Sequence, residues 1–198
     1  DIHCAHGYLV PSFFSPLTNL RTDEYGGDLV GRTRFLTEII RGIRGRLGDF
    51  PLTIKISGDE YIEGGLGIPA MIEIARIAEE AGVDGLIVSA GTVGGKKLED
   101  LGEAHKVMRT LPMMTEPGCL VPIAAEFKKA LRVPVVAVGR INSAALAEEI
   151  LSQHKADIAA IGRALLADPD LPNKAREGRA AETRPCIACN EGCYKRIL

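Results

Sequence analysis

Two rhythms of apolar residues alternate along the chain. Short, nearly continuous apolar runs occur at 53–57 (Thr-Ile-Lys-Ile-Ser), 85–89 (Gly-Leu-Ile-Val-Ser), 135–139 (Val-Val-Ala-Val-Gly) and 157–161 (Asp-Ile-Ala-Ala-Ile). The opening Asp1-Ile2-His3 reads as the tail of another such run. Runs this short and this apolar predict strands covered on both faces, as in a parallel sheet. Pro134 stands at the entrance of its strand, where a missing N–H is tolerated.

Between the strands the period lengthens to that of a helix. Phe35, Ile39, Ile40 and Ile43 share one face, and Ile72, Ala75, Ile77 and Ala78 fall within a helix predicted over 68–81 and stopped by Gly82. Residues 123–131 and 144–151 follow the same pattern. About five strand–helix units result, which by their alternation predict an α/β fold with a parallel sheet. A doubly wound sheet should carry a Gly-rich phosphate turn after its first strand, and none is present. Residues 91–97 come near a P-loop, but Ala90 and Lys97 stand where that motif needs Gly and Ser or Thr. A (β/α)₈ TIM barrel fits better, because polar residues punctuate the C-terminal ends of successive strands. Five units would be strands 4 to 8, so about three are expected upstream. A start on Asp1, without an initiator Met or a basic leader, also predicts a fragment.

Composition narrows the field. The 198 residues are 46% hydrophobic and 25% charged, with a net charge of -2. Such a balance gives no reason to expect nucleic acid or a membrane surface as a partner. No stretch is apolar enough to span a bilayer. The five cysteines are two isolated ones, Cys4 and Cys119, and three crowded at 186, 189 and 193. This odd, clustered count predicts a reducing, cytoplasmic setting with a metal or cluster site, not a disulfide framework.

Three constellations carry chemistry. In the first, His3, His6 and Tyr8 follow a strand end. Neutral imidazoles can polarise a carbonyl by hydrogen bonding, and a phenol can deliver a proton to a developing carbanion. A metal pair, or polar residues satisfied within a loop, are the alternatives. In the second, Gly139-Arg140 and Gly162-Arg163 each close one of the last two strands. Glycine admits an anion to the backbone and arginine adds a charge-assisted fork, at the usual phosphate position of such barrels. Surface ion pairs are the alternative. The third is Cys186-x₂-Cys189-x₃-Cys193, a ligand spacing that wants a fourth ligand before Leu198 and finds none. Lys55, inside an apolar strand, would either face an anionic flavin edge or pair with Asp59 or Glu60.

With these residues the chain resembles the Old Yellow Enzyme superfamily, and within it the iron–sulfur branch of 2,4-dienoyl-CoA and enoate reductases. The likeness runs through His3-x-x-His6-Gly7-Tyr8-Leu9 and residues 14–19, then residues 21–27 with Arg32 and Arg34. It resumes at residues 134–141, at 162–169 and in the cysteine run. It implies that His3 and His6 bind the substrate's activating group and that Tyr8 is the proton donor. Lys55 would lie near the flavin pyrimidine, and Gly139, Arg140, Gly162 and Arg163 would hold the FMN phosphate. Cys186, Cys189 and Cys193 would be three ligands of a [4Fe–4S] cluster, with the fourth expected roughly a dozen residues further on.

The implied activity is reduction of activated C=C bonds in enones or enoyl thioesters, with electrons from NAD(P)H and an FAD domain further downstream. On this reading 1–180 is the C-terminal part of an FMN-binding barrel and 181–198 the start of a cluster-binding segment. Such a piece is expected to bind FMN poorly and not to turn over alone. An amine dehydrogenase of the same branch and a non-catalytic electron relay are the alternatives. The scarcity of aromatics (5%, no Trp) weighs mildly against the first, and a proton donor is wasted on the second. Segment 92–118 is the least family-like, with Lys96, Lys97, Met113 and Met114. Its His105 is either an aid to protonation or a solvent-exposed loop histidine. Self-association into a homo-oligomer stays open.

Overall fold

The structure is a computed structural model and describes residues 1–92, 111, 113 and 115–193. Five strands form one parallel sheet in sequential order: β1 (Ile2–Cys4), β2 (Thr53–Ser57), β3 (Gly85–Ser89), β4 (Val135–Ala137) and β5 (Ile158–Ala159). Between them run α1 (Leu9–Phe14), α2 (Leu29–Leu47), α3 (Ile68–Ala81), α4 (Val121–Ala130) and α5 (Ala144–Ser152). After β5 come α6 (Arg163–Ala167), α7 (Leu171–Arg176) and a 3₁₀ turn, Ala180–Glu182. An all-parallel sheet whose neighbours follow chain order, with helical crossovers, is an arc of a (β/α)₈ barrel.

The period-2 rule separates the two faces of this arc. The row Ile54, Leu86, Val135 and the row Ile56, Val88, Ala137 are wholly buried. Together with Met71, Ile74, Ala75 and Ala78 of α3 and Ala124 and Phe127 of α4 they make the core. Each such Ile or Leu contributes roughly 1.5–3 kcal/mol on burial. The intervening row, His3–Lys55–Ile87–Val136–Ile158, faces the other way and is half-buried or exposed, with Ile158 at 51%. That is the inner face of the barrel arc.

Helix ends follow the local chemistry. Asp28 caps α2 by accepting the Gly31 N–H, and Ser143 caps α5 by accepting the Leu146 N–H. Gly82 ends α3 in the left-handed conformation, as its sequence position predicts. The strands at 53–57 and 85–89 and the helix at 68–81 match expectation residue for residue. β4 and β5 stop sooner than predicted. The left-handed φ of Gly139 and Arg140 turns the chain out of the sheet after β4. Residues 160–163 likewise leave β5 to line a cavity.

Candidate functional site at the strand ends

The C-terminal ends of β2 to β5 and the loop after β1 converge on a cavity of about 330 Å³. His6, Lys55, Ser89, Gly139, Arg140, Gly162, Arg163 and Cys186 all contribute to its wall. Three cationic side chains and no carboxylate line it among the described residues, so the cavity is built for an anion.

The glycines differ in what they do. Gly139 has φ 111°, and a Cβ there would meet Leu120 at 2.9 Å, so the protein's own packing requires glycine. Gly162 has φ −102°, and a Cβ would meet no atom within 4 Å. Its bare backbone leaves room on the cavity wall for something other than protein.

Each arginine spends only part of its fork on the described residues. Arg140 Nη1 donates to the Met113 carbonyl at 2.9 Å. Arg163 Nη1 donates to the Leu111 carbonyl at 2.7 Å and to the Asn190 side-chain oxygen. The other guanidinium donors have no hydrogen-bond partner among the described residues. Neither arginine forms an ion pair among them, so the surface-pair alternative finds no support.

Lys55 is likewise unpaired with Asp59 or Glu60. Asp59 accepts the Tyr61 N–H at 2.6 Å, and Glu60 accepts Ser15 Oγ at 2.9 Å and the Leu66 N–H at 2.6 Å. Burial raises the Glu60 carboxyl above the ordinary carboxylate range. Lys55 instead stands beside His3 in register. Burial first, and then the Lys55 charge, hold His3 below the usual imidazole value, so it is neutral at pH 7.

His3 forms a ring cluster with its two partners: 5.5 Å to His6 and 5.4 Å to Tyr8 between centroids. Tyr8 is half-exposed at the start of α1, in reach of water, while His6 is buried. His6 has φ 64°, in the left-handed region that costs a non-glycine roughly 1–2 kcal/mol. Its N–H donates to Ser57 Oγ at 2.9 Å, and Ser57 Oγ donates onward to the Gly91 carbonyl at 2.6 Å. Its Nε2 lies 2.9 Å from Ser89 Oγ. Both serines are the last residues of their strands and were not singled out from sequence. Their position at strand ends was the available signal.

The three clustered cysteines are free thiols, with Cys186 on the cavity wall and Cys189 exposed. Among the described residues no three His, Cys, Asp or Glu side chains gather into a group that could hold a metal. Their segment is nonetheless docked on the barrel end. Ala188 is buried, Asn190 meets Arg163, and the buried Asp168 accepts the Arg184 N–H at 2.8 Å and Lys174 Nζ at 2.7 Å. These bonds push the Asp168 carboxyl down to about 2. His105, Lys96, Lys97 and Met114 lie outside the described residues, as does most of the near-P-loop.

Residues 1–182 match the model of the NADH:flavin oxidoreductase / NADH oxidase family. The chain belongs to that family. It is 44% identical over 196 residues to an NADH oxidase of Thermoanaerobacter brockii, covering 98% of this chain and 28% of that protein. It is 36% identical over 213 residues to a cinnamate reductase of Clostridium sporogenes, covering all of this chain and 30% of the relative. Among solved structures it superposes on 2-naphthoyl-CoA reductase bound to 2-naphthoyl-CoA with a TM-score of 0.85 at 35% identity, over 97% of this chain and 28% of that one. Histamine dehydrogenase from Rhizobium sp. 4-9 gives 0.81 at 31% identity, over 95% and 26%. The chain therefore spans less than a third of each of these relatives.

The family implies a flavin. The open face of Gly162, and among the described residues the unspent donors of Arg140 and Arg163 and a wall without carboxylates, fit the phosphate end of such a cofactor. Lys55 fits a position facing an anionic ring edge.

Proposed function

We propose that this chain supplies the substrate end and the FMN-phosphate end of an ene-reductase, an NAD(P)H-driven oxidoreductase acting on activated C=C bonds. The observation that carries the reading is the placement of the His3–His6–Tyr8 cluster at the same strand ends as the cationic cavity. Likeness to a cinnamate reductase and to a structure holding 2-naphthoyl-CoA supports an α,β-unsaturated or aromatic acyl substrate.

When bound, FMN supplies a hydride equivalent to the electron-poor β-carbon. The residues of this chain do the rest. His3 and His6 hydrogen-bond the carbonyl oxygen and stabilise the negative charge that develops there. His3 does so as a neutral imidazole, because burial and Lys55 disfavour its charged form. The Tyr8 phenol delivers a proton to the α-carbon and regains one from water at its exposed edge. Arg140 and Arg163 would bind the phosphate, with Gly162 keeping the approach open and Gly139 letting its loop pack against Leu120. Lys55 would face the ring edge.

The cysteine spacing supports a [4Fe–4S] assignment for Cys186, Cys189 and Cys193. That assignment rests on spacing alone, and no step above passes through it.

Histamine dehydrogenase is also a close structural neighbour, so amine oxidation is the second reading. An anaerobic visible spectrum of the intact protein separates them. Flavin bands bleached by NAD(P)H and restored by an enoate support the ene-reductase. Bands that ignore every enoate but bleach with an amine would replace it. In the Tyr8→Phe variant the flavin should still be bleached by NAD(P)H, while enoate turnover falls by roughly 10²–10⁴-fold.

A further inference from the structure

His6 reaches its place by an unfavourable route, a left-handed backbone followed by Gly7 at φ 72°. Two serines on neighbouring strands hold it there. Ser57 is committed in direction: it accepts the His6 N–H and gives its own proton to the Gly91 carbonyl. Ser89 is different. It is 6% exposed, and among the described residues His6 Nε2 is the only partner of its hydroxyl oxygen. A neutral imidazole has one donor and one acceptor nitrogen. If Nε2 carried the proton and donated to Ser89, the buried Ser89 hydroxyl proton would have no described acceptor, and leaving a buried donor unsatisfied is unfavourable. If Ser89 donates instead, both groups are satisfied.

We propose that Ser89 is a positioning residue that donates to Nε2 and so holds His6 as its Nδ1–H tautomer, with Ser57 fixing the backbone that carries the ring. This deepens the ene-reductase reading and rests on it for its functional consequence: His6 becomes a donor through Nδ1 alone, suited to a developing oxyanion. A metal ligand through Nε2 is disfavoured at the same stroke, because that lone pair is already engaged. The Ser57–His6–Ser89 arrangement thus also argues against the metal-pair alternative for His3 and His6.

The test is long-range ¹H–¹⁵N NMR on the FMN-loaded protein with ¹⁵N-labelled histidine, the His6 signals being assigned by their loss in His6→Asn. The expected result is a protonated, pyrrole-type Nδ1 and a pyridine-type Nε2. In Ser89→Ala that pattern should shift to a tautomer mixture or to Nε2–H, and Ser89→Thr should restore it. A protonated Nε2 in the unmodified protein would overturn the proposal. So would an unchanged tautomer in a Ser89→Ala variant whose circular dichroism shows a native fold. If Ser89→Ala does not fold, the unmodified protein alone still decides. In turnover, Ser89→Ala should cost about tenfold in enoate kcat/KM, the worth of one net hydrogen bond of about 1.4 kcal/mol, and Ser89→Thr should recover it. The NMR result stands whether or not enoates are substrates, so failure of the ene-reductase reading and failure of this proposal are separately visible.

Discussion

At the scale of single residues the site works by setting states beforehand. Lys55 and His3 share a row of the sheet, and the neutral His3 is the result of burial first and of that charge second. An NMR pH titration should place the His3 midpoint below the ordinary value near 6.5. In Lys55→Met the midpoint should rise, though not all the way, because burial remains. No movement at all would remove Lys55 from the account.

The two Gly-Arg pairs looked equivalent as sequence, yet their glycines have different duties. Gly139→Ala should cost about 1–3 kcal/mol in urea unfolding, from a left-handed φ and a 2.9 Å approach to Leu120. Gly162→Ala should leave stability within about 0.5 kcal/mol while weakening phosphate-ligand binding. That polar side chains stand at the strand ends was legible, because strand ends of a barrel are where such side chains collect. The serines that aim His6 were not, because a serine ending an apolar strand looks the same whether it clamps a histidine or merely ends the run.

At the scale of elements, long apolar periods were the most legible. α3, β2 and β3 have patterns that only one register can bury, and they came out at the expected residues. α1, α6 and α7, of five or six residues each, escaped sequence reading because one helical turn and a half leaves no period to see. Two side chains join elements in ways the sequence does not announce. Arg44 of α2 donates Nε to the Gly82 carbonyl at 2.7 Å and Nη1 to the Gly48 and Phe50 carbonyls, and its Nη2 pairs with Asp84. It therefore fastens the ends of α2 and α3 to the entrances of β2 and β3. Arg44→Ala should lower stability by about 1–3 kcal/mol in urea unfolding, far more than an ordinary surface arginine.

Asp168 does the same for the chain that leads to the cysteines. Its folded value of about 2 lies below the ordinary carboxylate value, so its contribution is fully present above about pH 5. It is lost only as the pH falls through about 2. At neutral pH, Asp168→Ala should hasten trypsin cleavage after Arg179, in the segment that Asp168 ties down through Lys174 Nζ and the Arg184 N–H. Unchanged cleavage would mean that the segment is held elsewhere.

At the scale of the whole molecule, the arc has one finished face and one open face. The helix-facing rows are wholly buried, while Ile87 and Val136 are half-covered and Ile158 is half-exposed on the inner face. The barrel class was legible from alternation and strand-end chemistry together. The gathering of Lys55, Arg140 and Arg163 around one cavity was not, because it depends on the four strands β2 to β5 lying side by side in chain order. No helix among the described residues is long and apolar enough to cross a membrane.

The central claim is that this cavity takes a phosphate-bearing flavin, and one comparison tests it most directly: the affinity of the intact protein for FMN against riboflavin. The two ligands differ only in the phosphate, so contacts made elsewhere cancel from the ratio. FMN should bind at least about 100-fold more tightly than riboflavin. In Arg140→Gln/Arg163→Gln the preference should fall toward unity while riboflavin binding holds. Equal affinities in the unmodified protein, or a preference that survives loss of both arginines, would contradict it.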